Sequence, residues 1–375
     1  MDFRGARPDN NLFMIQSYLD EQLGQAEFAD CVVQFEDASK SLACHALMLA
    51  RNPTLRSILR SSAVSETEHL GKAYRKLEIP QKFYFKSSIG FVEAVRYIYG
   101  GQTLNERALV LPFLSTPEAL IAMVLSYAAA ACSLEIPDAA VAALTVVSHR
   151  LSWSTLETAL EFALHGGISS MWRRYSMAAV DSGKPAEDLK IGPTYGPYAS
   201  DILEMVVRFI CWNFASDDSF DQSASQLPGI KRFPESLGRG SSAVVHGPRS
   251  PVSDQRLRGI RLGSFQAQST TSSTLSSILL SVPLPFVQAV FDDLQIQDRV
   301  HPTVLESYMR EVVEEREKRR QHALQALNAD SGLVIGETDS VGLQQVLHTR
   351  EEFQHSDQGM PRFRIVSHLD SANGQ

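Results

Sequence analysis

Residues 41–59 read SLACHALMLARNPTLRSIL, and the Cys44–His45 pair near the head of this stretch decides how the chain is read. In a catalytic reading, His45 lowers the pKa of the Cys44 thiol and a third group orients the ring. In a structural reading, His45 marks the point where a strand turns into a helix. Its ring nitrogens then satisfy backbone groups that the junction leaves unpaired. Successive side chains on a strand point to opposite faces, so Cys44 is poorly placed to reach the adjacent ring. No orienting third group, oxyanion-hole glycine motif or nucleophile elbow accompanies the pair. We read His45 as structural and expect no catalytic residue and no enzyme.

Outward from this stretch the local signals are clear. Upstream, Cys31, Val33 and Phe35 alternate with Val32 and Gln34, the period of a strand. The turn EDASK leads to a returning strand at 41–44, giving a hairpin. Downstream, a helix starts near Ala46 and a second at Pro53, where proline suits a first turn. The polar stretch SSAVSETEHLGKAYR reads as a loop, and KLEIP as a third short strand. SSIGFVEAVRYIYGG is a helix that turns Phe91, Val95 and Ile98 inward and ends at a double glycine. Residues 10–24 carry Leu12, Ile15, Leu19 and Leu23 at helical spacing, with Phe13 and Tyr18 off that stripe.

Further on, Ser115-Thr116-Pro117-Glu118 is a capped helix start. A helix over 137–150 follows, then one opened by a capping box of Ser154 and Glu157. SDILEMVVRFICWNF gathers Leu203, Val206, Val207, Ile210, Cys211 and Phe214 on one face. Residues 215–274 are rich in Ser, Gly and Pro and are expected to be a disordered linker. Arg239, Arg249, Arg256, Arg258 and Arg261 make its second half basic, and we read it as solvated. A helical segment spans 275–328. In it Glu314–Lys318 and Glu315–Arg319 are i,i+4 pairs in the favoured order, so EKRR reads as a solvated helix face. Residues 329–375 form a weakly ordered tail in which RFRIVSHL is one strand.

The whole chain has 375 residues, 44% of them hydrophobic, and a formal net charge of -8. That charge disfavours nucleic acid as a partner, because phosphate binding rests on clustered Lys and Arg. The opening MDFRGARPDNNLFMIQ lacks the apolar core of a secretory signal, and ALIAMVLSYAAAACSLEI is too short and too mixed for a membrane span. We expect a cytoplasmic or nuclear protein that makes no membrane contact. The four cysteines form no CxxC, which argues for free thiols and against a metal site or disulfide framework.

Taken together, the hairpin Asp30–Phe35, the return strand running through His45 to Leu49 and Pro53, and the segment Phe91–Gly101 with Tyr97 and Tyr99 resemble the BTB/POZ domain. The resemblance covers about residues 27–135, with Asp30, His45, Leu49, Phe91, Tyr97 and Tyr99 as its signature. Two departures stand out: Ala46 follows the histidine where the family often has a basic residue, and Asn52 precedes the proline where a serine is usual. The resemblance implies an α+β fold with a small sheet flanked by short helices. Residues 1–26 would supply an N-terminal helix, and 136–214 a BACK-like helical extension. It also implies a non-enzymatic adaptor without cofactor or small-molecule substrate, acting through protein partners and self-association. Leu12, Phe13, Ile15, Tyr18 and Leu19 would lie at the dimer interface. Val64-Ser65-Glu66 matches in type the motif by which relatives dock on cullin-3, placing Val64 and Glu66 at that contact. The alternative is a transcription-linked nuclear scaffold acting through the basic linker.

Overall fold

The strand β1 (Cys31–Phe35) lies inside a four-stranded sheet of order β2-β1-β4-β3. Strand β2 (Ser41–Cys44) returns antiparallel to it, with Cys31 opposite Cys44 and Val33 opposite Leu42. Strand β4 (Lys72–Ile79) runs parallel to β1, with Val33 opposite Leu77 and Phe35 opposite Ile79. Those four apolar residues of β1 and β4 are buried. Strand β3 (Val64–His69) pairs antiparallel with β4 and forms the far edge. The polar stretch expected to be a loop is therefore two paired strands.

In this computed structural model the described residues are 17–35 (without 20 and 26), 41–104 (without 63, 70, 71, 81, 82, 101 and 102), 116–164, 195–233 (without 216 and 231), 270–329 (without 298), 347, 349–356 and 362–369. They fall into two units, Met1–His165 with Pro193–Val206, and Gly166–Gly192 with Val207–Gln375. The helices that follow residue 135, expected to begin a helical extension, lie within the first unit together with the sheet.

Between β2 and β3 lie α1 (Ala46–Leu49) and α2 (Pro53–Ser61). Asn52 caps α2 by accepting from the Leu55 N–H at 3.0 Å, and its amide donates to the Leu134 carbonyl at 2.6 Å. One buried side chain thus starts a helix and fastens it to a later one, which a serine is too short to do. Helices α3 (Ser88–Gly100) and α4 (Pro117–Ser133) are pressed together at Gly90. A Cβ there would stand 2.3 Å from the Tyr127 nitrogen. Beside it the Ser126 hydroxyl accepts from the Lys86 and Ser87 N–H groups, each at 3.1 Å, and donates to the Ala122 carbonyl at 2.7 Å. Thr116 caps α4, as its sequence predicts. This helix is buried almost all round from Ile121 to Ala131, which makes it the central post of the unit.

Helices α5 (Pro137–Arg150) and α6 (Leu156–Ala163) follow. The cap of α6 is Thr155, with no side-chain capping bond, so the expected box of Ser154 and Glu157 is not formed. The Thr155 hydroxyl is turned back onto Ser152, accepting from its N–H at 2.9 Å. The helix α7 (Gly196–Asn213) begins next to Tyr195, whose ring stacks on Phe162 at 4.6 Å.

The second unit departs further from the sequence reading. Within the expected linker, Phe220, Leu227, Ile230, Arg232 and Phe233 are buried, and Asp221 accepts from its neighbour Ser223. Residues 234–269, including the basic half, lie outside the described residues. Helices α8 (Thr270–Ser281), α9 (Leu284–Gln297) and α10 (Pro302–Ala329) follow. The tail forms an antiparallel pair, β5 (Thr349–Ser356) and β6 (Arg362–Leu369), so RFRIVSHL is a strand with a partner.

The EKRR face expected to be solvated is so only in part: Lys318 is exposed, but Arg320 is buried, and so is its neighbour Arg316. Arg316 is fully buried. Its Nε and Nη2 bond both oxygens of Glu351 at 2.7 and 2.9 Å, and its Nη1 reaches the carbonyls of Leu279 and Val282. Arg232 bonds the same carboxylate at 2.6 Å and the Arg316 carbonyl at 3.2 Å. Arg320 grips Glu317 with two bonds and meets the Leu347 carbonyl. Glu315 pairs with Arg319 as expected, whereas Lys318 also takes Glu315, in place of Glu314, at 3.3 Å.

Candidate functional site

The junction at His45 holds most of the signature residues. Strand β2 delivers Cys44 into the core and the chain then turns into α1. Here the role expected of His45 falls to another residue. The His45 ring caps no backbone group of α1. The first free N–H of the helix, that of Ala46, is taken by the Asp30 carboxylate at 2.6 Å. The His45 N–H donates to the Tyr99 hydroxyl at 2.6 Å, and that hydroxyl faces His45 Nδ1 at 3.1 Å. A phenol can accept from the N–H while donating its own proton to Nδ1, provided the ring is neutral and protonated on Nε2. The imidazole therefore holds a tyrosine, and the tyrosine and the aspartate hold the bend. The sequence reading missed this division of labour because Tyr99 lies 54 residues away.

Around this node, Arg51 donates to the Ile98 carbonyl at 3.0 Å, at the C-terminal end of α3, where a cation meets the negative end of the helix dipole. Leu49 and Phe91 are fully buried, and Phe91 meets Phe35 edge-on at 5.6 Å. Tyr97 is half-buried and points elsewhere: burial, with Asp138 beside it, raises its phenol pKa.

In the closed fold, the electrostatics of the thiols run against nucleophilic use. Burial pushes the Cys44 thiol up to about 12, outweighing the Tyr99 hydrogen bond that favours the thiolate. Burial, with Cys44 opposite, pushes Cys31 higher still. An attacking thiol needs the opposite shift. Burial, with Cys44 beside it, likewise raises Tyr99 well above the ordinary tyrosine range. Among the described residues no group of three or more His, Cys, Asp or Glu could hold a metal ion.

Of the residues expected at a partner surface, Tyr18 is exposed and Leu19 half-buried, on a stretch helical at 17–19. Leu12, Phe13 and Ile15 lie outside the described residues. Val64 and Glu66 stand in the edge strand β3, not in the loop where the cullin motif was expected, and β3 is already paired with β4. Two residues the sequence reading passed over are more telling. Phe28 is 65% exposed and Leu47 is 81% exposed. They flank the Asp30–Ala46 hydrogen bond, one on each side of it in sequence. The signal in the sequence was Leu47 itself, since Leu49, two residues on, takes the buried face of a single helical turn.

No described helix is long and apolar enough to cross a membrane. Compared with protein-family models and with curated proteins, the chain matches none.

Proposed function

We propose that the first unit is a BTB/POZ-type association module and that the chain is a non-enzymatic adaptor working through protein contacts, with self-association among them. One observation carries this reading. At the His45 junction the polar groups are consumed internally, while Phe28, Leu47 and Tyr18 are left in solvent. Large exposed apolar and aromatic side chains of this kind are what the core of an interface is made of. In support, the three sequence pieces that resemble the family meet through Asp30, His45 and Tyr99, and β1 runs between an antiparallel and a parallel neighbour.

The test is the mass of the full chain in solution. Sedimentation equilibrium at tens of micromolar should give a dimer. Leu47→Asp, exposed and therefore cheap for folding, should return it to a monomer with an unchanged circular dichroism spectrum. A wild-type chain that stays monomeric under those conditions overturns self-association.

A further inference from the structure

Cys31 and Cys44 are direct cross-strand partners in the antiparallel pair β1–β2, and both are fully buried. Residues opposite each other in such a pair have Cα atoms ~4.5–5.5 Å apart, within the ~4.4–6.8 Å that a disulfide spans. Both side chains leave the sheet on the same face, since Cys31, Val33 and Phe35 are buried and the alternation brings Cys44 to that side. From this juxtaposition we propose that Cys31 and Cys44 form a cross-strand dithiol that a hydroperoxide closes reversibly to a disulfide.

The strand order sets the access route. Strand β2 is four residues long and lies at the sheet edge, where β1 is its one strand neighbour and its outer side is held by a bond from the Gly24 N–H to the Ala43 carbonyl at 3.1 Å. Short edge strands open at low cost compared with the interior of a sheet. Lifting β2 brings Cys44 to solvent while Cys31 stays fixed on β1. The Cys44 sulfur then attacks a peroxide oxygen: an S–O bond forms, the O–O bond breaks, and the other oxygen leaves as water. When β2 closes again, the Cys31 sulfur attacks the sulfenic acid. The S–S bond forms, the S–O bond breaks and a second water leaves. Two thiols and one hydroperoxide thus yield one disulfide and, with hydrogen peroxide, two waters. The sulfurs are oxidised and the peroxide reduced.

The bond falls one residue before His45 and fastens β2 to β1, so it would lock the bend on which Phe28 and Leu47 are displayed. Closed dithiols of this kind respond slowly, because the folded resting state keeps both sulfurs from solvent.

The experiment uses the full chain, reduced and desalted, then incubated with hydrogen peroxide at neutral pH. Remaining thiols are alkylated, the chain is digested and its peptides are read by mass spectrometry. A Cys31–Cys44 cross-linked peptide that disappears on treatment with dithiothreitol is the expected result. The same treatment in urea provides the unfolded reference. A folded chain that gives no such peptide, or that carries sulfinic acid at Cys44 without a cross-link, overturns the proposal. So does a folded chain that pairs its four cysteines as indiscriminately as the unfolded one. No variant is needed, so a folding defect cannot mask the outcome.

Discussion

The two units satisfy their polar groups by different means. In the first, one neutral hydroxyl serves a backbone N–H and an imidazole, and the Asp30 carboxylate takes the next N–H. In the second, Arg232, Arg316 and Arg320 are buried with Glu351, and Glu317 closes on Arg320. Cations there outnumber carboxylates, and the excess is met by carbonyls: Leu279 and Val282 at the end of α8, Arg316 in α10, and Leu347. The end of a helix carries a partial negative charge, so backbone takes the place of a missing acid. A neutral node tolerates the loss of one member, whereas a charged one leaves its partners stranded.

The largest expected effect lies at Glu351. Glu351→Ala leaves two buried guanidiniums without their carboxylate and should cost about 3–5 kcal/mol in a denaturant titration of the full chain. A loss below about 1 kcal/mol would mean that carbonyls alone suffice, and would break the contrast. Its pH signature follows from the sign of the shift. Burial by itself would raise the Glu351 carboxyl, but Arg232 and Arg316 outweigh it and hold the group below its ordinary range. Burial and Arg316 in turn lower Arg232, which keeps its proton through neutral pH. The stabilisation from Glu351 is therefore complete above the unfolded glutamate pKa of about 4.3 and is lost as pH falls through the lower folded value. Glu351→Gln should flatten that acid limb; an acid limb as steep as the wild type's would assign it to other carboxylates.

Next comes Gly90→Ala. In an open helix alanine gains about 0.5–1 kcal/mol over glycine. Here its methyl group meets the α4 backbone, so a net loss of about 1–3 kcal/mol is expected. A stabilised variant would show that the two helices can separate at no cost. Smallest is the node itself. Tyr99→Phe removes the acceptor of the His45 N–H and should cost about 1–2 kcal/mol. His45→Ala should cost less, because its backbone N–H keeps Tyr99. The reverse order of the two, measured by thermal melts of both variants, would restore the ring to the leading role.

What was legible in the sequence was what neighbours decide. The alternation of Cys31, Val33 and Phe35, the cap at Thr116 and the proline start at Pro53 are all found where the residues place them. Distant partners explain the rest. VSETEH has no strong strand character of its own and is a strand because β4 lies beside it. Phe220, Leu227, Ile230 and Phe233 are isolated among Ser, Asp, Gln, Pro and Gly, a composition that reads as linker, so their burial is not announced by the local sequence. Arg316 and Arg320 fall in a run of matched charges that resembles a wet face, and Glu351 lies 35 residues beyond Arg316. At the site, the sequence points to His45 as the residue that satisfies the junction; the Ala46 N–H is instead taken by Asp30, and the His45 N–H by a phenol far along the chain.

The parallel pairing of β1 with β4 has a further consequence for the newborn chain. A hairpin such as β1–β2 can zip as soon as it leaves the ribosome, but its other rim must wait for residues about 40 positions later. At ~5–20 residues per second of synthesis that wait lasts a few seconds. Throughout it Val32 and Val33 lie along an unpaired backbone edge. Nascent copies are therefore most prone to stick to one another on the strand that the finished fold hides in mid-sheet.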